Sequence, residues 1–309
     1  MIKVIDLDVE ERSFDESVIG LGNFDGVHAG HRTIMYRTIE LAKEKNVESA
    51  VLLFKQHTNE VFPKMPPYYI SSLEDKIEIL DRLGIDRVYI IDFTMEFAQL
   101  TNEGFMLDFI RDDLNAHTVV CGSDYTFGKK SMGTVKELIQ YKKDGLIDVS
   151  VVDDYFFDGK IASSTTIRNL ISQGNFTEAT KLLVDPYTIR ATVVHGAKRG
   201  TNLLGFPTAN LEMDFSYIMP ADALYITSIN IDGKDYQSMT SVGTNPTFTE
   251  SKDVKVECYI MDFKQDIYGK TVKLSFLKKM RDQIVFPSAQ DLIKQMEEDE
   301  KIARKYFDN

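Results

Sequence analysis

The sequence between residues 22 and 31 reads Gly22-Asn23-Phe24-Asp25-Gly26-Val27-His28-Ala29-Gly30-His31. An apolar run at residues 18–21 precedes it and a helical pattern follows it, which predicts a strand, a glycine-rich turn and a helix. The N–H groups and the dipole at a helix N-terminus favour bound negative charge. His28 and His31 are three residues apart and therefore lie on one helix face. The stretch predicts an anion site that uses two of the five histidines of the chain.

The composition indicates a globular protein with one large domain or two ordinary ones. The chain has 309 residues, 43% of them hydrophobic, and a net charge of −12. That charge argues against a general nucleic-acid binder, which needs clustered Lys and Arg. Cys121 and Cys258 are far apart, which favours a reducing compartment. Early acidic residues argue against a secretory signal, and no apolar run approaches the roughly 18 residues of a membrane span. We expect a cytoplasmic protein with no nucleic-acid or membrane partner.

The first half of the chain alternates between strand-like and helical patterns. Strand-like runs lie at residues 18–24, 49–54, 87–93, 118–122 and 148–152. Helical patterns lie between them, at residues 32–45, 73–83, 101–114 and 135–143. Such alternation predicts an α/β domain with a doubly wound parallel sheet. Ligands bind beyond the carboxyl ends of the strands in these sheets, which is where residues 22–31 follow the first strand.

The second half has a β-rich pattern. Helical segments at residues 165–172 and 177–183 lead to Pro186, and strand-like runs follow at 188–195, 224–231, 237–242, 254–263 and 271–276. Asp232-Gly233 is a two-residue hairpin signal between the second and third of these runs. A helix is predicted over residues 288–306. We predict a small antiparallel β-barrel with a C-terminal helix, and place the domain boundary between residues 184 and 185.

Three kinds of site compete for residues 22–31. A G-x-G-x-x-G dinucleotide fingerprint would need glycine in place of Asp25, whose carboxylate would repel a pyrophosphate. A zinc site with His28 and His31 would need a third protein ligand, and no third His or Cys lies nearby in sequence. Nucleotidyl transfer needs positioning and charge stabilisation at the α-phosphate, which two histidines can supply. The residues favour nucleotidyl transfer over both other sites and over a turn with incidental histidines.

These residues resemble the G-x-F-D-x-x-H-x-G-H motif of the nucleotidyltransferase superfamily. Essentially the whole chain resembles the bifunctional bacterial riboflavin kinase/FAD synthetase family. The resemblance implies that His28 and His31 are catalytic. It also implies that the substrate-binding residues of this stretch are Gly22, Asn23, Phe24, Asp25 and Gly30.

Two more segments of the first half resemble motifs of that family. Residues 122–128 resemble a G-x-D-F-x-F-G loop, which implies that Asp124 and Phe127 contact FMN and adenine; an ordinary glycine-rich βα loop is the alternative. Residues 162–168 resemble the I-S-S-T-x-I-R motif, although a serine–threonine cluster also caps helices. The residues implied to bind the ATP phosphates there are Ser163, Ser164 and Thr165, with Arg168 as a catalytic residue.

His57 follows the second strand pattern. The family usually has prolines on both sides of this histidine, whereas this chain has Gln56 and Thr58. The resemblance implies that His57 binds the triphosphate, and a plain surface histidine is the alternative.

The second half carries a narrower signature at residues 205–210. The run Gly205-Phe206-Pro207-Thr208-Ala209-Asn210 resembles the G-F-P-T-A-N signature of riboflavin kinases. In an extended segment Thr208 and Asn210 lie on one side, and their neutral oxygens suit Mg²⁺. The resemblance implies that both bind Mg²⁺–ATP. The substrate-binding residues that it implies in this half are Gly196, Arg199, Gly205, Phe206, Pro207 and Arg281.

Glu257 is the candidate base of the second half. It alternates with the apolar Val256 and Cys258, so its side chain points away from them. The resemblance implies that it accepts a proton from the riboflavin 5′-hydroxyl. The alternative is a solvent-facing strand carboxylate.

The leading hypothesis is an enzyme with two activities. Its C-terminal domain would phosphorylate riboflavin to FMN, and its N-terminal domain would adenylylate FMN to FAD with release of pyrophosphate. Both steps would use Mg²⁺–ATP, and the sequence indicates no oligomeric state. Departures from the family pattern, such as Asp185 where an arginine is usual, leave open a monofunctional FMN adenylyltransferase with a kinase-like flavin-binding module. A non-catalytic flavin sensor is a second alternative, and the histidine pair and Glu257 argue against it. A cytidylyltransferase fits less well, because residues 205–210 would have no purpose there.

Overall fold

The computed structural model describes residues 1–10, 13–55, 68–196, 207–244 and 254–308. The chain divides into two compact units, residues 1–67 with 71–164, and residues 68–70 with 165–309. In the second unit Tyr69 and Tyr217 form an isolated parallel bridge. The division falls after Ser164, whereas the domain boundary predicted from the sequence follows residue 184. That boundary stays a prediction.

Six parallel strands form the main sheet of the first unit. They are β1 (Lys3–Asp6), β2 (Ser17–Leu21), β3 (Glu48–Phe54), β4 (Arg87–Ile91), β5 (Thr118–Gly122) and β8 (Asp148–Val152). Their order is β1-β4-β3-β2-β5-β8, and every neighbouring pair is parallel. The order reverses beside β2, so the loops after β2 and β5 leave the sheet at a topological switch point, where α/β sheets bind ligands. The predicted parallel sheet is confirmed, with β1 as an additional edge strand.

Helices cover both faces of this sheet. They are α1 (Ala29–Lys45), α2 (Leu73–Leu83), a π-helix over Gly104–Asp113 and α3 (Val135–Lys143). Ile19 and Leu21 belong to one buried cluster, and Val18 and Phe24 belong to another. Because neighbouring strand residues point to opposite faces, both faces are packed and the sheet is doubly wound.

Short elements complete the first unit. They are β6 (Thr126–Phe127), β7 (Gly133–Thr134), β9 (Phe156–Phe157) and β10 (Lys160–Ile161), with 3₁₀ turns at Phe97–Gln99 and Lys129–Ser131. β6 pairs with β7 and β9 with β10, both antiparallel. α4 (Ser164–Ser172) begins at the end of this unit, and α5 (Phe176–Leu183) follows in the second.

The second unit is built on a closed antiparallel barrel of six strands. They are β11 (Tyr187–Val194), β12 (Thr208–Glu212), β13 (Ala223–Ile231), β14 (Lys234–Thr244), β15 (Val254–Ile260) and β16 (Thr271–Asp282). The order around the barrel is β11-β12-β15-β14-β13-β16. Asp232 and Gly233 have φ values of 52° and 82° and connect β13 to β14, so the predicted hairpin is confirmed.

The chain ends in α6 (Ala289–Phe307), which Ser288 caps by accepting the Asp291 N–H. Ala303 of this helix packs in a cluster with Ile226 and Met239 of the barrel. The predicted barrel with a C-terminal helix is therefore confirmed. Within the part of the chain that the structure describes, no helix is both long and apolar enough to cross a membrane.

Candidate active sites

Residues 22–28 form a turn between β2 and α1 that is buried from Phe24 onward. Phe24, Gly26 and Val27 have φ values of 48°, 83° and 37°. For the two non-glycine residues, such a conformation costs on the order of 1–3 kcal/mol each and persists only where the surroundings enforce it. The turn is therefore held by contacts from other segments.

Ser71 and Ser164 contact this turn from outside. The Asp25 carboxylate is 2% exposed, and its Oδ1 accepts the Ser71 N–H at 3.1 Å. The Gly26 N–H donates to Ser71 Oγ at 2.8 Å, and Ser164 Oγ donates to the Asp25 carbonyl at 2.9 Å. The carboxylate of Asp25 thus has a structural partner, and the substrate contact expected of this residue stays a prediction.

Two cations contact the ends of the turn. Arg32 Nε donates to the Val27 carbonyl at 3.1 Å, and Lys76 Nζ donates to the Asn23 carbonyl at 3.3 Å. Both side chains are largely buried. Positive charge is therefore concentrated beside the N-terminus of α1, which favours an anionic ligand.

His28 and His31 form a stacked pair where α1 begins. Their ring centroids are 3.6 Å apart with planes at 22°, and the Phe24 ring meets His31 edge-on at 5.3 Å. His28 is the N-cap residue, and its Nδ1 accepts the His31 N–H at 3.4 Å. Because His28 caps the helix, α1 begins at Ala29, three residues before the predicted start. Histidine is not a usual capping residue, so the sequence did not indicate this start.

Burial holds the pKa of His31 well below its usual value, and the positive charges of His28 and Lys76 act in the same direction. The His31 ring is therefore neutral at neutral pH. Its Nδ1 is covered and has no hydrogen-bond partner among the described residues. A buried polar atom without a partner is costly, so this position suits a ligand that supplies the missing bond.

Glycines make room for these rings. A Cβ on Gly22 would lie 2.7 Å from the Phe24 ring, and a Cβ on Gly30 would lie 3.2 Å from the His28 ring. Either substitution would push on a residue of the turn. Both glycines are thus explained by close packing, and the substrate contacts predicted for them stay predictions.

The 122–128 loop follows β5, the neighbour of β2 in the sheet. Asp124 is exposed on it, whereas Phe127 is 4% exposed and packs against Phe105 with ring centroids 6.1 Å apart. Tyr125 stacks on Phe127 at 6.0 Å. Asp124 is therefore accessible at the switch point, while the Phe127 ring belongs to the core. Their predicted substrate contacts remain untested.

The serine–threonine motif lies at the start of α4. Ser163 and Ser164 are half-buried, and Thr165 is exposed. Arg168 is four residues beyond Ser164 and so lies on the same side of the helix. The phosphate contacts expected of these four residues stay predictions. His57, Arg199, Gly205 and Phe206 lie outside the described residues.

In the barrel, the predicted metal-binding and base residues lie on neighbouring strands. Asn210 pairs directly with Glu257 between β12 and β15, and Thr208 pairs with Tyr259. Directly opposed residues share a face with Cβ atoms about 4.5–5.5 Å apart. The buried residues Leu211, Val256 and Cys258 alternate with them and face the barrel interior, as expected from the alternation around Glu257. A hydroxyl, a carboxamide and a carboxylate therefore converge on one outer face of the barrel.

Gly196 and Pro207 flank this face. A Cβ on Gly196 would overlap the Asn210 carboxamide, so the backbone after β11 passes directly over that side chain. Pro207 is exposed immediately before β12. Their predicted substrate contacts stay predictions.

Arg281 ends a row of directly paired residues that crosses four barrel strands and begins at Glu257. The register runs from Glu257 to Ser241, then Leu224, then Arg281. Its guanidinium binds Asp299 of α6, with Nη2 to Oδ2 at 2.7 Å, and Asp299 is 1% exposed. This ion pair holds Arg281 against α6, and its predicted contact with substrate stays a prediction.

Four residues that contact these sites were not predicted from the sequence: Arg32, Ser71, Lys76 and Asp299. Ser71 precedes a helix and looks like part of a cap, and Lys76 and Asp299 are charged residues on amphipathic helices. No local pattern distinguishes them from ordinary surface residues. Among the described residues, no group of three or more His, Cys, Asp or Glu side chains could hold a metal ion.

The fold and the two sites define a two-domain transferase, with a nucleotidyltransferase sheet followed by a flavokinase barrel. The family model of FAD synthetase matches residues 10–166, and that of riboflavin kinase matches residues 183–307. The chain belongs to the bifunctional riboflavin kinase/FMN adenylyltransferase family.

Relatives of that description match nearly the whole chain. The Listeria monocytogenes protein is 36% identical over 94% of this chain and 92% of its own. The Bacillus subtilis protein is 35% identical over 95% and 93%, and the Escherichia coli K12 protein 30% identical over 94% and 92%. All three are bifunctional riboflavin kinase/FMN adenylyltransferases.

One similar solved structure covers both units. A Streptococcus pneumoniae protein described as a macrolide-efflux protein has a TM-score of 0.88 and 34% identity, over 98% of this chain and 99% of that one. The sheet of the first unit and the barrel and C-terminal helix of the second therefore each have a counterpart in a crystal structure.

Proposed function

We propose that this chain phosphorylates riboflavin to FMN in its C-terminal domain and adenylylates FMN to FAD in its N-terminal domain. One observation carries the proposal: the same chain holds a histidine pair at a helix N-terminus and a carboxylate–carboxamide pair on a barrel face. Each pair provides the chemistry of one reaction, and the family membership of the chain agrees with both.

In the adenylyl transfer, a phosphate oxygen of FMN attacks the α-phosphorus of ATP. A new P–O bond forms, the bond to the bridging oxygen of the β-phosphate breaks, and pyrophosphate leaves. Positioning and charge stabilisation carry such a reaction. The N-terminus of α1 and the neutral His31 ring donate towards the negative charge on the α-phosphate. Ser163, Ser164, Thr165 and Arg168 would hold the leaving pyrophosphate.

In the kinase reaction, the riboflavin 5′-hydroxyl attacks the γ-phosphorus of ATP. Glu257 accepts the proton of that hydroxyl as the new P–O bond forms, and ADP leaves. The apolar neighbours of Glu257 point into the barrel, so the carboxylate is free to face the substrate. Asn210, directly opposite Glu257, holds the ATP phosphates close to this base.

Thr208 and Asn210 also fit Mg²⁺. A hydroxyl and a carboxamide oxygen on one strand face are hard ligands, and Mg²⁺ usually takes few protein ligands beside waters and phosphates. When bound, Mg²⁺ neutralises charge on the ATP phosphates. The substrates are small molecules, ATP, riboflavin and FMN. We place the enzyme in the cytoplasm, where ATP is available and the buried free thiols of Cys121 and Cys258 remain reduced.

Product analysis tests the proposal. The protein is incubated with riboflavin, ATP and Mg²⁺, and the flavins are separated by chromatography. FMN followed by FAD is the expected result. FAD formation from supplied FMN but not from riboflavin would indicate a monofunctional adenylyltransferase. Flavin binding without turnover would indicate a sensor, and either result would overturn the two-activity proposal.

A further inference from the structure

Ser71 is a buried serine, 6% exposed, that belongs to none of the sequence motifs. It lies just before Ser72, the N-cap residue of α2. Three hydrogen bonds connect it to the turn that follows β2. Its N–H donates to Asp25 Oδ1 at 3.1 Å, its Oγ accepts the Gly26 N–H at 2.8 Å, and its hydroxyl donates to Asp25 Oδ1 at 3.4 Å. One side chain therefore joins the backbone and the carboxylate of the turn.

The position of this contact matters because Gly26 lies between the two strained residues of the turn. Phe24 and Val27 both have positive φ. The Gly26 N–H donates to the Ser71 hydroxyl. Without that hydroxyl this buried donor would have no acceptor, and the backbone would favour a different path. Val27 leads directly into His28, whose side chain caps α1 and stacks on His31. A change in the turn would thus move both rings.

We propose that Ser71 is a positioning residue for adenylyl transfer. Through Gly26 and Asp25 it holds the turn in the conformation that presents His28 and His31 to the α-phosphate. Ser71 itself does not contact the substrate. This inference rests on the function proposed above for the N-terminal domain.

The test compares Ser71→Ala with Ser72→Ala in the full chain. The second variant is a matched control, because it removes the neighbouring hydroxyl and the cap of α2 but no bond to the turn. FAD formation from FMN and ATP is measured for kcat and KM. Ser71→Ala should lower kcat about 10- to 100-fold, because a misplacement of about 1 Å costs up to roughly 100-fold in rate. The KM values for FMN and for ATP should stay within about threefold of the wild-type values. Ser72→Ala should keep its kcat within about threefold.

Two further measurements separate positioning from loss of fold. Hydrogen exchange of residues 22–28 should accelerate in Ser71→Ala and not in Ser72→Ala, because the Gly26 N–H loses its acceptor. Riboflavin phosphorylation by the same preparations should be unchanged. Ser71→Thr keeps the hydroxyl and should restore most of kcat. If Ser71→Ala does not fold, Ser71→Cys takes its place with the same criteria.

The inference is overturned if Ser71→Ala keeps a kcat within twofold of the wild type, or if Ser72→Ala loses as much kcat. A wild-type protein that forms no FAD from FMN and ATP would instead overturn the proposed function. The two failures are therefore distinct.

Discussion

Replacing His31 with alanine removes the ring proposed to donate to the α-phosphate. Loss of one preorganised donor to a developing charge costs about 2.7–4 kcal/mol of transition-state stabilisation. At about 1.4 kcal/mol per factor of ten, the lower figure corresponds to a fall of about a hundredfold in kcat for FAD formation. We use the lower figure because the depressed pKa of His31 makes it a neutral donor.

The same substitution should cost little stability. The ring contacts Phe24 and His28, so its removal loses packing. It also removes Nδ1, which is buried without a partner among the described residues, and an unsatisfied group of that kind costs about 1–3 kcal/mol. The two effects on stability oppose each other. The free energy of unfolding should therefore change little, while kcat for FAD formation falls about a hundredfold.

The assay measures FAD formation from FMN and ATP by chromatography, and riboflavin phosphorylation by the same sample reports the integrity of the second unit. His117→Ala is the matched control, because His117 is exposed and contacts Asn115, away from the turn. Its kcat should equal that of the wild type. A kcat for His31→Ala within threefold of the wild type would refute the reasoning.

Further outcomes are expected. Glu257→Gln should abolish FMN formation from riboflavin while FAD formation from supplied FMN continues, and a parallel loss of both activities in a folded variant would contradict two separate sites. The pKa of His31 is depressed in the folded protein and about 6.5 in the unfolded chain, which therefore binds more protons as the pH falls below about 6.5. The free energy of unfolding should decrease from about pH 7 to about pH 5, and less so in His31→Ala; equal slopes in denaturant titrations would exclude His31 as the cause. Asp299→Ala leaves the Arg281 guanidinium without its carboxylate and should destabilise the barrel by about 3 kcal/mol. This figure is the lower end of the range for a broken buried ion pair, and we use it because Arg281 is partly exposed. Thermal unfolding measures this loss, and an unchanged melting temperature would argue against it.

Much of the fold follows from local sequence signals. α2 has the predicted bounds because Ser72 and Asp75 form a capping box at its start and Gly84 adopts a left-handed conformation at its end. Both signals act within a few residues, where side chain and backbone alone determine the geometry. The Asp232-Gly233 hairpin is of the same kind.

Other elements depend on partners that are distant in sequence. β1 is a short edge strand whose residues have no alternating pattern, and it exists because it pairs with β4. β12 was not predicted as a strand, although the expected extended segment placed Thr208 and Asn210 correctly on one side. The helix over Gly104–Asp113 is a π-helix. The sequence predicted a helix but not its type, because an apolar pattern over ten residues does not specify the hydrogen-bond register.

By itself, the sequence predicted the residues that we propose for the adenylyl transfer, since the strand, turn and helix around His28 and His31 are contiguous. Only the tertiary structure decided how those residues are held. Ser71 is 45 residues from Gly26, and Arg281 is 18 residues from Asp299. Asn210 and Glu257 become neighbours only through the register of the closed barrel. Such contacts depend on strand pairing and buried packing over the whole domain, and short-range patterns in the sequence do not encode them.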